Sequence, residues 1–225
     1  MRACLRLVLL TTIGLFVACA PATVDAQSAS KELRLELKKW QILERDSGPV
    51  NYYSLVPDPE MPYIRAHYKP PTETAILAYQ VDDDDRSRAR AIRWKWRVIN
   101  MPPGGDECVE DKGDSAAGVY LVWKRGMRVY TLKYSWSTVG KKGAICERKR
   151  TAFVARNKII FESGGALNTW QPEELDLKAE FRKYFEDGNQ NADVPDFMGV
   201  GIMSDGDQTK SEVVADYADF VLVRQ

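Results

Sequence analysis

The chain has 225 residues, a hydrophobic fraction of 44% and 32 Lys+Arg against 32 Asp+Glu. That suits one substantial domain and leaves no net charge to draw it to nucleic acid or acidic lipid. Its single histidine, His67, excludes a zinc site built on two imidazoles of one chain and gives a His-dependent triad one candidate. No catalytic motif stands in the sequence.

The amino terminus opens with Arg2 and Arg6, runs apolar from Leu7 to Ala18 and then turns small and polar, which reads as an export signal. The run is shorter than the about 20 apolar residues a spanning helix needs, so no transmembrane helix is expected in the mature chain. Two processing readings stand side by side. Val24-Asp25-Ala26 has the small-residue spacing a signal peptidase accepts, making 1–26 the signal peptide and releasing a single domain of 27–225 to the periplasm or the exterior. Phe16-Val17-Ala18-Cys19 resembles a bacterial lipobox with Phe16 where leucine is usual. On that reading 1–18 is removed, Cys19 is lipidated and the protein becomes an outer-membrane lipoprotein. Cys4 and Cys19 belong to the leader, so Cys108 and Cys146 are left to form one disulfide in an oxidising compartment.

In the mature chain, Leu33, Leu35 and Leu37 alternate with charged residues, favouring strand over helix. Short strands follow at 51–56 and 63–68, separated by the proline-broken 57–62, and the second carries His67, read as a surface or hydrogen-bonded residue. After a strand at 75–81, Asp82 to Asp85 reads as a solvated turn. Ile92, Trp94, Trp96 and Val98 then alternate with Arg93, Lys95 and Arg97, a strand with one wet side. Val119, Leu121 and Trp123 share a face with Tyr120 and Val122 opposite, a central strand with two apolar faces. Tyr130, Leu132, Tyr134 and Trp136 form an aromatic face, opposite Val129, Thr131, Lys133 and Ser135. Strand-like pieces flank Asn157. The period then changes: Leu177, Phe181, Tyr184 and Phe185 at i, i+4, i+7 and i+8, with Pro172 before and Gly188 after, predict one helix over 173–186. Strands return at 197–203 and 218–223. The expected fold is a mainly β, antiparallel sandwich with that one helix.

The pattern resembles a bacterial envelope family catalogued as domain of unknown function 3047. The resemblance rests on Trp94-Lys-Trp-Arg-Val98 followed by Pro102, Asp114-Ser-Ala-Ala117, Tyr134-Ser-Trp136, Trp170 before Leu175-Asp-Leu177, and Gly201-Ile-Met-Ser-Asp-Gly-Asp-Gln-Thr209. It spans about residues 35 to 225. Gly118 and Leu175 depart from positions where the family often has arginine. The resemblance implies a galactose-binding-like jelly roll and no assigned activity.

Two constellations carry functional expectations. Trp123, Tyr134, Trp136 and Trp170 are candidate sugar-stacking residues, on condition that some are exposed together; otherwise they are core. Asp205 and Asp207, on a glycine-containing loop with Thr209, are candidate calcium or magnesium ligands, set against a turn in which they accept backbone N–H bonds. Asp106, Glu107, Glu110, Asp111 and Asp114 form a second acidic group, and if the two loops meet they share a cation or raise each other's pKa. No other cofactor is implied. The leading reading is a non-catalytic envelope module binding glycans or another cell-surface ligand. An interaction protein of the envelope comes next, and a carboxylate- or metal-dependent hydrolase last.

Overall fold

The computed structural model describes residues 31–43 and 50–225; the export leader and Cys19 lie outside the described residues. In chain order the elements are β1 (Glu32–Arg34), a 3-10 turn (Leu37–Lys39), β2 (Gln41–Ile42), β3 (Tyr53–Val56), β4 (Tyr63–Tyr68), β5 (Leu77–Gln80), α1 (Asp83–Arg86), β6 (Ala89–Asn100), β7 (Ala117–Arg125), β8 (Arg128–Ser137), β9 (Ile145–Arg150), β10 (Val154–Ser163), β11 (Gln171–Asp176), α2 (Leu177–Phe185), β12 (Asp196–Met203) and β13 (Val213–Arg224). They form two sheets. One runs β11-β6-β13-β4-β3, with β1 beside the second half of β13; the other runs β2-β5-β12-β7-β8-β10-β9. All pairs are antiparallel except β8 with β10, where Val154 lies opposite Val129 and Ile159 opposite Tyr134 in parallel register.

Alternation decides what each strand buries. On β6, Ile92, Trp94, Trp96 and Val98 are at most 1% exposed, while Arg93, Lys95 and Arg97 turn outward to Glu32, Asp219 and Asp216. Facing them across the core are Val119, Leu121 and Trp123 of β7 and Leu132, Tyr134 and Trp136 of β8. The two aromatic faces meet in tilted pairs, Trp96 on Trp136 at 5.5 Å and Trp94 on Phe161 at 6.3 Å between centroids, and within the seven-stranded sheet Tyr134 meets Phe161 edge to face at 4.9 Å. Such pairs add about 0.5–1.5 kcal/mol each beyond burial.

The mainly β sandwich is as expected, but it is not wholly antiparallel, since β8 and β10 run parallel. The strand expected through Leu37 ends at Arg34, with Leu37–Lys39 in the 3-10 turn, and Asn157 lies inside β10 rather than between two strand pieces. Four further details differ from expectation. The helix starts at Leu177 rather than Glu173, because 171–176 pair with β6 as an edge strand, Gln171 opposite Trp96 and Asp176 opposite Ala91. Asp176 then caps the helix, its carboxylate accepting from the backbone N–H groups of Lys178 and Ala179. Second, Asp82 to Asp85 is not simply a solvated turn: 83–86 make a helical turn, and Asp85 is buried against Arg224 at 2.6 Å. Third, the last strand extends back to Val213, where it pairs with β4. Fourth, β7 is central but is not covered on both sides among the described residues: Tyr120 and Val122 are only half-buried on the outer face. His67 is a surface strand residue paired with Glu212.

Candidate functional site

The four proposed stacking residues are not brought together as an exposed platform. Trp123, Tyr134 and Trp136 are 1–2% exposed, since the aromatic face of β7 and β8 is the inward one. Trp123 packs on Phe181 and Phe197, the Tyr134 hydroxyl is hydrogen-bonded to Glu180, and Trp136 Nε1 donates to the Gly164 carbonyl at 2.8 Å. Trp170 lies just before β11, against the other sheet, where Arg97 stacks over its ring at 4.5 Å and Tyr63 meets its edge. Arg97 and Arg65 together hold the fully buried Asp216 at 2.7 and 2.8 Å. These aromatics are structural in their contacts.

The open surface is instead the outer face of the seven-stranded sheet. There a groove of about 550 Å³ crosses β5, β12, β7, β8 and β10. Its floor is Ala78, Val122, Tyr120 and Gly201, with Ile76, Met198 and Val154 along it; Gln80, Thr131 and Arg156 supply its polar side chains. No aspartate or glutamate lines it.

Beyond Tyr120 the same face is closed by the loop between β6 and β7. The loop is tied to β9 by the Cys108–Cys146 disulfide, as the cysteine count suggested. It delivers Glu107 onto the sheet, where Lys133 Nζ donates to its carboxylate at 2.6–2.8 Å and Ser135 Oγ at 2.7 Å, with Lys158 at 3.5 Å. Glu107 and Lys133 side chains are 2% and 3% exposed. Burial pushes the Glu107 pKa up, but the charge and hydrogen bonds of Lys133, with Lys158 and Ser135, more than offset it and hold it below the usual carboxylate value. Lys133 also lies 5.8 Å from the Tyr120 ring centroid, so this pair backs the polar end of the groove.

The two acidic loops meet. The Gly113 N–H donates to Gln208 Oε1 at 2.6 Å, the Asp205 N–H to the Ser115 carbonyl at 3.0 Å, and Asp114 accepts from the N–H groups of Gln208 and Thr209 at 3.2 and 2.6 Å. Tyrosines fix the approach: Tyr217 Oη donates to the Met203 carbonyl at 2.8 Å, and Tyr52 Oη lies 3.0 Å from the Ser204 carbonyl. One carboxylate oxygen each of Asp114, Asp205 and Asp207 then falls within 4.8 Å of the others. Burial raises the Asp205 pKa to about 7, Lys133 opposing and Asp207 and Asp114 adding to the rise; Asp207 is raised too, by burial and then by Asp114. Of the second acidic group only Asp114 joins this cluster; Glu107 is spent on Lys133, and Asp106 accepts from the Cys108 N–H. Sequence reasoning placed Asp205 and Asp207 here but missed Tyr68 beneath the loop, the Glu107–Lys133 pair and the groove. The apolar outer face of β7 was the available signal for the groove.

The model of the family described as Protein of unknown function (DUF3047) matches residues 38–221. No curated protein matches the chain. Among solved structures, the chain is similar to the family 11 carbohydrate-binding module of the cellulosomal cellulase Lic26A-Cel5E of Clostridium thermocellum, at 13% identity and a TM-score of 0.47 over 88% of this chain and 97% of that one. A family 11 module from the same organism in complex with a β-1,3-1,4-mixed-linked tetrasaccharide gives 12% and 0.44 over 86% and 95%. The xyloglucanase domain of NopAA, a type three effector from Sinorhizobium fredii, in complex with cellobiose, gives 9% and 0.44 over 83% and 98%.

Proposed function

We propose that this chain, which belongs to the DUF3047 family, is an exported, non-catalytic binding module that lays an extended ligand, first of all a glycan, along the groove of its seven-stranded sheet. The observation that carries the reading is the groove's make-up: an open, largely apolar floor, a few polar side chains and no carboxylate. The apolar faces of sugar rings suit Tyr120, Val122 and Met198, and hydroxyls suit Arg156, Thr131 and Gln80. Hydrolysis of a glycoside needs two carboxylates flanking the bond, and the groove's lining offers neither. The disulfide supports an oxidising compartment, periplasmic or extracellular; among the described residues no helix is long and apolar enough to cross a membrane. Whether the leader is cleaved after Ala26 or the chain begins at a lipidated Cys19 is read from the intact mass of the processed protein.

The mostly aliphatic lining also favours a second occupant, an apolar segment of another envelope protein. One experiment separates the two. Affinity electrophoresis and calorimetry against soluble cell-wall and plant polysaccharides are expected to show binding that Val122→Asp abolishes and Arg156→Ala weakens, with the melting temperature unchanged. Absence of binding to every polysaccharide refutes the glycan reading. Binding that survives Val122→Asp refutes the groove.

A further inference from the structure

We propose that Asp114, Asp205 and Asp207 form a binding site for a divalent, oxygen-seeking cation of the calcium class, with the Tyr68 hydroxyl beneath it. The site is independent of the groove reading, since none of its residues lines the groove.

The first argument is charge. Three carboxylates converge within 4.8 Å, Asp114 fully buried and Asp205 8% exposed, and among the described residues no lysine or arginine forms an ion pair with any of them. The cation felt most strongly by Asp205, Lys133, is engaged by Glu107 at 2.6 Å. Lys210 stands at the margin of the neighbouring depression and is not ion-paired to the cluster. Like charges this close, two of them buried, are costly without a counter-ion. The backbone N–H groups on Asp114 neutralise only part of that cost.

The second argument is independent of the acids. Tyr68 is 0% exposed and its hydroxyl has no hydrogen-bond partner, where a buried hydroxyl is normally satisfied. The ring lies directly under the loop: a Cβ on Gly206, between the two aspartates, would stand 3.1 Å from Tyr68 Cδ1 and 2.3 Å from the Ser211 carbonyl. After burial, the fields that push the Tyr68 pKa up, to about 12, are those of Asp207, Asp205 and Asp114 in turn. Tyr68 also lines, with Asp207, the depression that opens beside the three carboxylates, and an ion bound there would give its orphan hydroxyl oxygen a partner.

The third argument is access. A depression of about 480 Å³, lined by Tyr68, Pro70, Pro71, Thr72 and Asp207 among others, opens beside the cluster, and Asp207 is exposed. All the donors are hard oxygens with no nitrogen or thiolate among them, which selects calcium or magnesium over zinc or copper. Three carboxylates and a neutral oxygen drawn from two loops and a strand suit the larger, more flexible oxygen shell of calcium better than magnesium, which keeps several of its waters.

The test uses the processed protein, freed of metal with EDTA and titrated with calcium, magnesium and terbium. Calcium is expected to bind with one site per chain and more tightly than magnesium, and to raise the melting temperature by about 5–11 °C at a hundredfold excess over Kd. Terbium, a luminescent stand-in for calcium, is expected to be sensitised through Tyr68. Asp207→Asn, at an exposed position where folding is not at stake, should weaken calcium at least tenfold. Tyr68→Phe, which removes a hydroxyl that makes no hydrogen bond, should keep the fold and lose affinity. No heat and no melting shift with either cation at millimolar concentration overturns the proposal. So does calcium binding that is unchanged in both variants, and tighter binding of magnesium overturns the calcium assignment.

Discussion

Replacing Lys133 by methionine tests whether the closed end of the groove depends on one buried ion pair. Methionine keeps most of the side-chain volume, so the perturbation is removal of a charge from beside Glu107, whose side chain is 2% exposed. Two partners remain: Ser135 Oγ at 2.7 Å and Lys158 at 3.5 Å, the latter 29% exposed. Breaking a buried pair by deleting one member costs about 3–5 kcal/mol, and since Lys158 can move toward the vacated carboxylate the lower end, about 3 kcal/mol, is expected. For a domain of this size each kcal/mol moves the melting temperature by about 2–4 °C, giving a fall of about 6–12 °C by calorimetry. The double variant Glu107→Gln/Lys133→Met leaves no buried charge and should recover at least half of the loss. The sign with pH follows from Glu107. Its pKa is held below the unfolded value, so its contribution is present above about pH 4.5 and is lost as pH falls through the folded value. Wild type should therefore lose stability relative to Lys133→Met below that range, and the two should converge in acid. A loss under about 1 kcal/mol at neutral pH, or no recovery in the double variant, refutes the assignment of Lys133 as the counter-charge that makes burial of Glu107 tolerable.

Two further stability predictions accompany those already given for the groove and the cation. The disulfide closes a loop with a sequence separation of 38, so Cys108→Ser/Cys146→Ser should cost about 4 kcal/mol in the chain-entropy model, read as the urea midpoint; an unchanged midpoint would show that the loop is held by Glu107 and Asp114 alone. Asp176→Ala removes the cap that accepts from Lys178 and Ala179 and should cost about 1 kcal/mol; full restoration by Asp176→Ser, but not by Asp176→Glu, would mark the effect as capping.

Much of the fold can be read residue by residue because alternation is a local signal. Ile92, Trp94, Trp96 and Val98 could only be one buried face, and the helix spacing of Leu177, Phe181, Tyr184 and Phe185 survives in the structure. The start of that helix was misplaced because Glu173 and Glu174 have good helix propensity, while pairing with β6, a long-range contact, claims 171–176 as strand. The meeting of the acidic loops was a conditional inference, and it holds because β12 and β7 are paired neighbours, Met203 opposite Gly118, which brings the loops at their ends together. Lys133 was hidden for the opposite reason: a lysine alternating with Thr131 and Ser135 looks like solvent-facing surface, and only the disulfide-tied loop, folding back from elsewhere in the chain, buries it.

The aromatic residues illustrate why composition misdirects the search for a binding face. Large rings contribute most when both faces are packed, so Trp123, Tyr134 and Trp136 fill the space between the sheets, and the open surface is made by residues with little to bury. Met198-Gly199-Val200-Gly201 shows this directly. Val200 packs its side chain in the core at 1% exposure, although it borders the groove together with Gly199 and Gly201. At Gly199 a Cβ would come within 2.2 Å of the Tyr79 carbonyl, at an irregularity in the β7 pairing. At Gly201 it would stand 2.9 Å from Ile76 Cγ2 and 3.5 Å from Tyr120 Cβ, filling the floor. At Gly201 a missing side chain deepens the groove on the outer face of an inner strand, whereas at Gly199 glycine lets the Tyr79 carbonyl come close. The signal in the sequence was therefore glycine at period two within an apolar strand, beside a neighbouring strand whose outer positions, Tyr120 and Val122, are also apolar.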